Sequence, residues 1–391
     1  MLSQSKTLSA AILDVIVAGT PMRTHVELDK IRQHVNADNY HQPVLLLQKA
    51  HIRAKARRFI AAMPRVHPHF ALKCNPLPEI ISILQREGVG FEVASKKELA
   101  LLLTQGIDPA AVFYSNPIKS NEHLQFAVDQ GVQWYVVDSV DELRKIHSAK
   151  PDAKLYLRIY TSNEGAVWEL SSKFGANDGD MADIIAVAQE LNADLGGVTF
   201  HAGSQCLNIQ NWIAGIRSAR KIFDQLEALN FNPRLLNIGG GYPVPLGSAA
   251  PEIEEIGAAI STELDAFGEH VKVIAEPGRY LVADAGYFVC RVVGTASRGD
   301  QRWLYLDAGF YGGLIEMNDL PFNLHTDRSG EKRDWHMAGP TCDSIDVFRH
   351  LRQLPADMQA DDFVYIEAGG AYTNSTACEF NGFAIPEVTF I

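Results

Sequence analysis

His69-Phe70-Ala71-Leu72-Lys73-Cys74-Asn75-Pro76 reads as a short apolar strand that brings one amine, Lys73, to its carboxyl end. An amine held there can form a Schiff base, although a lysine ending a strand is more often a surface side chain laying its stem along apolar neighbours. Working outward, strand-like runs recur near 70–73, 90–93, 111–115, 134–138, 154–160, 196–201, 235–238 and 272–276. Helical patterns lie between them, as in Ile80-Ile81-Leu84 and Ile216-Ala219-Ile222-Phe223-Leu226, where apolar residues recur at three- and four-residue spacing. Eight strands alternating with helices predict a (β/α)8 TIM barrel.

The alternation stops after about residue 281. The remainder of the chain is strand-like without long helices, including Tyr287-Phe288-Val289-Cys290-Arg291-Val292-Val293, Arg302-Trp303-Leu304-Tyr305-Leu306 and Phe363-Val364-Tyr365-Ile366. The expected organisation is a barrel over 40–281 and a β-rich domain made of 282–391 and completed by 1–39. Within that N-terminal segment, Ala10 to Val17 is apolar but interrupted by Asp14, which suggests an amphipathic helix and not a signal peptide. Asp327 to Arg333 reads as a polar loop.

At 391 residues and 47% hydrophobic composition the chain can bury one large core and a smaller one. A net charge of −12 argues against a nucleic-acid partner and is compatible with a cationic small molecule. No stretch reaches the roughly 20 uninterrupted apolar residues of a membrane span. Cys74, Cys206, Cys290, Cys342 and Cys378 form no CxxC pair, so neither a disulfide framework nor a metal site is indicated, and a cytoplasmic setting fits best.

Barrel enzymes place their chemistry at the carboxyl ends of the strands, and the polar motifs of this chain fall there. Gly239-Gly240-Gly241 succeeds the strand at 235–238, where residues without a β-carbon let backbone amides close around a phosphate; a tight turn is the alternative. Ser204, Arg279 and Tyr372 could add a hydroxyl, a guanidinium and a phenol to such a cup. Glu276, in Ala275-Glu276-Pro277-Gly278-Arg279, offers a carboxylate either to a cofactor or to Arg279. His201 is open between a ligand-facing imidazole and a satisfied buried one. Cys342 is open between a thiol acid and an inert buried thiol.

Taken in order with Gly339-Pro340-Thr341-Cys342-Asp343 and Gly370-Ala371-Tyr372-Thr373, these motifs resemble the fold-type III pyridoxal phosphate (PLP) enzymes. Among those they are most similar to the ornithine decarboxylases, from about Pro43 to the C-terminus. The resemblance implies an alanine racemase-like barrel with a C-terminal β-rich barrel or sandwich, and PLP carried on Lys73. Gly239, Gly240, Gly241, Gly278, Ser204, Arg279 and Tyr372 would surround its phosphate, Glu276 its ring nitrogen and His201 its ring face, with Glu92 and Arg158 in support. It further implies Cys342 as proton donor to the α-carbon, and a homodimer whose sites are shared, with Lys173 and Asp346 pairing across the interface. Asp343 would take the distal ammonium of an amino-acid substrate, with Asp319 or Glu316 as a second carboxylate and Phe380 lining the pocket.

The implied reaction is decarboxylation of a basic L-amino acid, L-ornithine first and L-lysine second. Diaminopimelate or a specialised amino-acid intermediate is the alternative substrate; a racemase or a non-catalytic homologue is a further alternative. The chain departs from the pattern in two places. Glu92 stands where many relatives carry Asp, and 312–319 looks more like the bacterial members than the animal ones. His325, Trp335 and His336 have no clear match and would either reshape the pocket or be ordinary loop and strand residues.

Overall fold

The computed structural model describes residues 25–38 and 40–391, residues 25–27 by their backbone. The expected helix at 10–17 lies outside the described residues. The chain divides into two compact units, Phe59–Val244 with Ala250–Tyr280, and the described residues up to Arg58 with Pro245–Ala249 and Leu281–Ile391.

The first unit is a closed barrel of eight parallel strands: Val66–Ala71, Gly90–Val93, Phe113–Tyr114, Trp134–Val137, Lys154–Arg158, Asp194–Thr199, Leu235–Asn237 and Lys272–Ala275. Each overlaps a run read from the sequence, although the first begins at Val66 and ends at Ala71, so that it shares only two residues with the run expected at 70–73 and leaves Lys73 outside the strand. The strands are short and apolar because both of their faces are covered, by barrel interior on one side and helices on the other. Phe113, Val136, Tyr156, Leu235 and Ile274 fill the interior. Helix Pro78–Arg86 starts on a proline, whose fixed φ and missing N–H suit a first helical position, and it buries Ile80, Ile81, Ile83 and Leu84. Gln210–Ala228 buries Ile216, Ala219, Ile222, Phe223 and Leu226 in the same way.

The second unit is built on an eight-stranded sheet. Its spine is Gly286–Arg298, whose first half pairs with Val44–Leu47 and Phe363–Glu367 and whose second half pairs with Gln301–Leu306. The register shifts between Val292 and Gly294, a bulge that lets one strand serve both ladders. Val44–Leu47 also pairs with Glu387–Phe390. A fully buried apolar run looks the same in a barrel and in a covered sheet, and here Val44–Leu47 lies in the sheet although the sequence groups it with the barrel. Helix His25–Asp38 packs Leu28, Ile31 and Val35 on Tyr287, Val289 and Tyr365.

The segment from Asp327 is more than a polar loop. Asp327 pairs with Arg32 at 2.9 Å and accepts from the Tyr365 hydroxyl, while Arg328 pairs with Asp357 and Asp362. His325 pairs with Glu367 at 3.0 Å, Trp335 is buried and donates to the Pro355 carbonyl, and His336 stacks on Trp303. All three have structural employment within the sheet. Among the described residues no helix is long and apolar enough to cross a membrane.

Candidate active site

The first barrel strand, Val66–Ala71, runs into a single tight turn, Leu72–Cys74, that lifts Lys73 off the strand end. The Lys73 side chain is half exposed, and its Nζ stands 3.9 Å from Glu92 Oε1. Glu92 sits opposite Ala71 on the neighbouring strand and is 1% exposed. Burial pushes its carboxyl up to about 8, with the nearby Glu276 charge raising it further and Lys73 pulling it back. A carboxyl that titrates near neutrality beside an amine can exchange a proton with it.

Glu276 lies just past the last barrel strand, Lys272–Ala275, and its N–H donates to the Gly239 carbonyl at 2.8 Å. Its Oε1 accepts from Ser115 Oγ and from Asn237 Nδ2, the latter at 2.7 Å. Asn237 Oδ1 in turn accepts the Gly239 N–H at 2.9 Å, so one side chain ties the carboxylate to the glycine turn. Arg279 is not the partner of the Glu276 carboxylate in this arrangement. Its guanidinium is buried and lies 5.3 Å from the centre of the Trp168 ring.

Each residue of Gly239-Gly240-Gly241 excludes a side chain. Gly239 has φ +67° and a β-carbon there would stand 2.1 Å from the Phe200 carbonyl oxygen. At Gly240 it would stand 2.6 Å from the Glu276 carbonyl oxygen, and at Gly241, with φ +98°, 2.0 Å from that of Gly203. The turn is therefore wedged between two neighbouring strand ends. The amides of Gly240 and Gly241 donate to no oxygen among the described residues, and Gly240 is buried, where an N–H without an acceptor calls for one.

His201 lies just beyond the strand Asp194–Thr199. Its carbonyl accepts from Thr161 Oγ1 at 3.1 Å and Asn163 Nδ2 at 2.8 Å. Its Nδ1 accepts the Gly203 N–H at 3.0 Å, which puts the proton of the neutral ring on Nε2, the edge turned toward Gly240. Burial, then the charges of Arg158 and Lys73, hold the imidazole well below its ordinary pKa. Arg158, at the end of its strand, lies over the Phe174 ring at 5.3 Å. Ser204 begins a two-stranded ribbon, Ser204–Cys206 with Ala166–Trp168, and is paired there with Trp168. Ser115, Tyr156, Arg158, His201 and Glu276 line one cleft. A larger cleft between helices Asp178–Glu190 and Gln210–Ala228 is lined by none of the residues expected to be functional.

In the sheet unit, Cys342 is exposed, and its Sγ and its N–H both approach Asn381 Oδ1, at 3.2 and 3.1 Å. Asp343 accepts from the Tyr311 hydroxyl at 2.7 Å and from the Ile345 N–H, and these bonds, Tyr311 first, hold its carboxyl below the usual range. Tyr311 is correspondingly pushed up to about 12 and stacks on Phe380 with ring centres 4.3 Å apart. Asp319 is held apart from this group, 3.8 Å from Arg349, and is 42% exposed in its side chain. Tyr372 has φ +55°, a left-handed conformation unusual for a tyrosine. Asp346 is buried and accepts from the Phe310 N–H, the Thr341 N–H and the Thr341 hydroxyl, while Lys173 lies over Phe174.

Residues 49–283 match the family described as pyridoxal-dependent decarboxylase, pyridoxal binding domain. The chain belongs to that family. This decarboxylase is 34% identical over 332 residues to the lysine/ornithine decarboxylase of Selenomonas ruminantium, covering 84% of each chain. The solved lysine/ornithine decarboxylase of Vibrio vulnificus, complexed with cadaverine, is 32% identical with a TM-score of 0.86 over 95% of this chain and 100% of its own. The arginine decarboxylase of Paramecium bursaria Chlorella virus, bound to agmatine, is 27% identical with a TM-score of 0.87 over 93% and 100%. PLP is its cofactor, and the barrel fits it. The side-chain-free turn with unpaired amides and the buried guanidinium of Arg279 suit a phosphate, and a carboxylate and an amine stand at neighbouring strand ends.

Ser115, Tyr156 and Thr199 line the cleft, and Asn237 donates to the Glu276 carboxylate, without a role in the sequence pattern. The signal was available for Ser115, which comes after the third barrel strand as Lys73 comes after the first.

Proposed function

We propose that this decarboxylase removes the α-carboxylate of a basic L-amino acid, L-ornithine in first place and L-lysine in second, releasing carbon dioxide and a diamine. The observation that carries the substrate class is the ionised Asp343 carboxylate presented beside the Tyr311–Phe380 aromatic pair. Such a carboxylate matches a distal ammonium, and the aromatic faces match the methylene chain before it. The similar proteins, decarboxylases of lysine, ornithine or arginine, support the same class.

Bound PLP supplies an electron-accepting ring for the pair left when the carboxylate departs. In this reading Lys73 Nζ is the anchoring amine, and Glu92 gives a proton to Nζ or takes one from it. Glu276 holds the ring nitrogen, and His201 packs on the ring face. Gly239, Gly240, Gly241, Gly278, Ser204, Arg279 and Tyr372 bind the phosphate, with Arg158 in support. Cys342 donates the proton that replaces carbon dioxide on the α-carbon, its thiol oriented by Asn381. Asp319 or Glu316 is the second carboxylate for the distal amine. A homodimer and a cytoplasmic setting belong to the reading, on the strength of the family resemblance.

The test is mass spectrometry of products after the PLP-loaded protein is incubated separately with L-ornithine, L-lysine, L-arginine and meso-diaminopimelate. Putrescine from ornithine, exceeding cadaverine from lysine, is expected. Product from diaminopimelate alone would overturn the assignment of Asp343.

A further inference from the structure

One polar chain in the barrel cleft has no part in the proposed reaction. Tyr156 is fully buried among the interior residues of the barrel, and its hydroxyl is 2.8 Å from Ser115 Oγ. Ser115 Oγ in turn reaches Glu276 Oε1, the same oxygen that Asn237 Nδ2 meets. A carboxylate oxygen accepts, so Ser115 donates its single proton to Glu276 Oε1, and the buried Glu92 carboxyl, pushed up to about 8, is a further hydrogen-bond partner of the same hydroxyl. Only lone pairs remain on Ser115 Oγ for Tyr156, and the phenol must donate. Burial holds Tyr156 well above its ordinary pKa, which keeps that donor proton in place. The chain therefore runs in one direction, from Tyr156 to Ser115 to Glu276.

Both donors fall on Oε1, and Oε2 accepts from no donor among the described residues. The loop that carries Ser115 is itself pinned. Its N–H donates to the Val93 carbonyl at 3.0 Å, and Lys119 Nζ, fully buried, donates to the carbonyls of Asn116 and Val136. We propose that Ser115 and Tyr156 are positioning residues that fix the rotation of Glu276, so that Oε2 alone is presented to the ring nitrogen of the cofactor. This rests on the reading of Glu276 as the partner of that nitrogen.

The experiment is an equilibrium titration of the full cofactor-free chain, monitored by tryptophan fluorescence. The two ligands are PLP and its 1-deaza analogue, in which C–H replaces the ring nitrogen. The parent chain should prefer PLP. Ser115→Ala should reduce that preference roughly tenfold, the lower end for a hydrogen bond to a charged group, and Tyr156→Phe by a smaller factor. Both should leave affinity for the deaza analogue unchanged, and Ser115→Thr should restore the preference. Glu276→Ala should abolish it. If Ser115→Ala weakens both ligands equally, or neither, while Glu276→Ala still abolishes the preference, the positioning role falls and the role of Glu276 stands. If Glu276→Ala leaves the preference intact, the role of Glu276 falls and takes this proposal with it.

Discussion

Replacing Glu92 by Gln tests whether the base of the site stores free energy in a buried carboxyl. The side chain keeps its shape and loses its charge. In the unfolded chain Glu92 titrates at an ordinary 4.5, and in the fold burial raises it to about 8. Below pH 4.5 both states hold the proton and the group costs nothing. Between 4.5 and about 8 only the folded state holds it, so folding must take up a proton, and stability falls as pH rises through that window. At about 1.36 kcal/mol per pH unit the ceiling is about 5 kcal/mol. Relaxation and water penetration around a buried charge bring the effective cost to roughly 1–2 kcal/mol. The assay is the melting temperature of the cofactor-free protein, where ligand binding does not contribute. For a domain of this size, roughly 1–2 kcal/mol is a rise of about 3–6 °C at pH 8. The gain should shrink toward zero as the pH is lowered to 5. A gain of equal size at pH 5 and pH 8, or a loss at pH 8, would refute the reasoning.

Gly241→Ala puts a methyl group against the Gly203 carbonyl at a backbone angle of φ +98°, so it should cost about 3 kcal/mol or more and abolish PLP loading, read by dialysis and absorbance. Lys119→Met removes the buried cation 3.1 Å from Glu142, which also pairs with Lys145; a loss of about 3 kcal/mol in denaturant titration is expected, partly recovered by adding Glu142→Gln. Asp343→Asn should lower kcat/KM for ornithine roughly a hundredfold, mainly through KM.

The barrel is legible because most of its strands are apolar runs bounded by polar residues, whereas His67 and His69 break the pattern in Val66–Ala71 and hide its first half, and because the rule that chemistry sits at carboxyl ends selects Lys73, His201, the glycine turn and Glu276 from many candidates. The choice between a turn and a phosphate loop at Gly239 to Gly241 was not legible; it depends on the carbonyls of Phe200, Gly203 and Glu276, which the fold brings together from distant positions. Tyr156 reads in sequence as one more interior aromatic, and only its 2.8 Å approach to Ser115, 41 residues away, makes it polar machinery. Arg279 was read toward Glu276 or a phosphate, and its stacking on Trp168 arises from a ribbon between Ala166–Trp168 and Ser204–Cys206 that no local pattern announces. The ion pairs of Asp327 and Arg328 are equally non-local, joining partners from Arg32 to Asp362.

The central claim is that Lys73 carries the cofactor. Borohydride reduction of the PLP-loaded protein, then proteolysis and peptide mass mapping, tests it directly. The account predicts one pyridoxyl group per chain, on Lys73, and none in Lys73→Ala. A pyridoxyl group on any other lysine, or an unchanged yield in the variant, would contradict it.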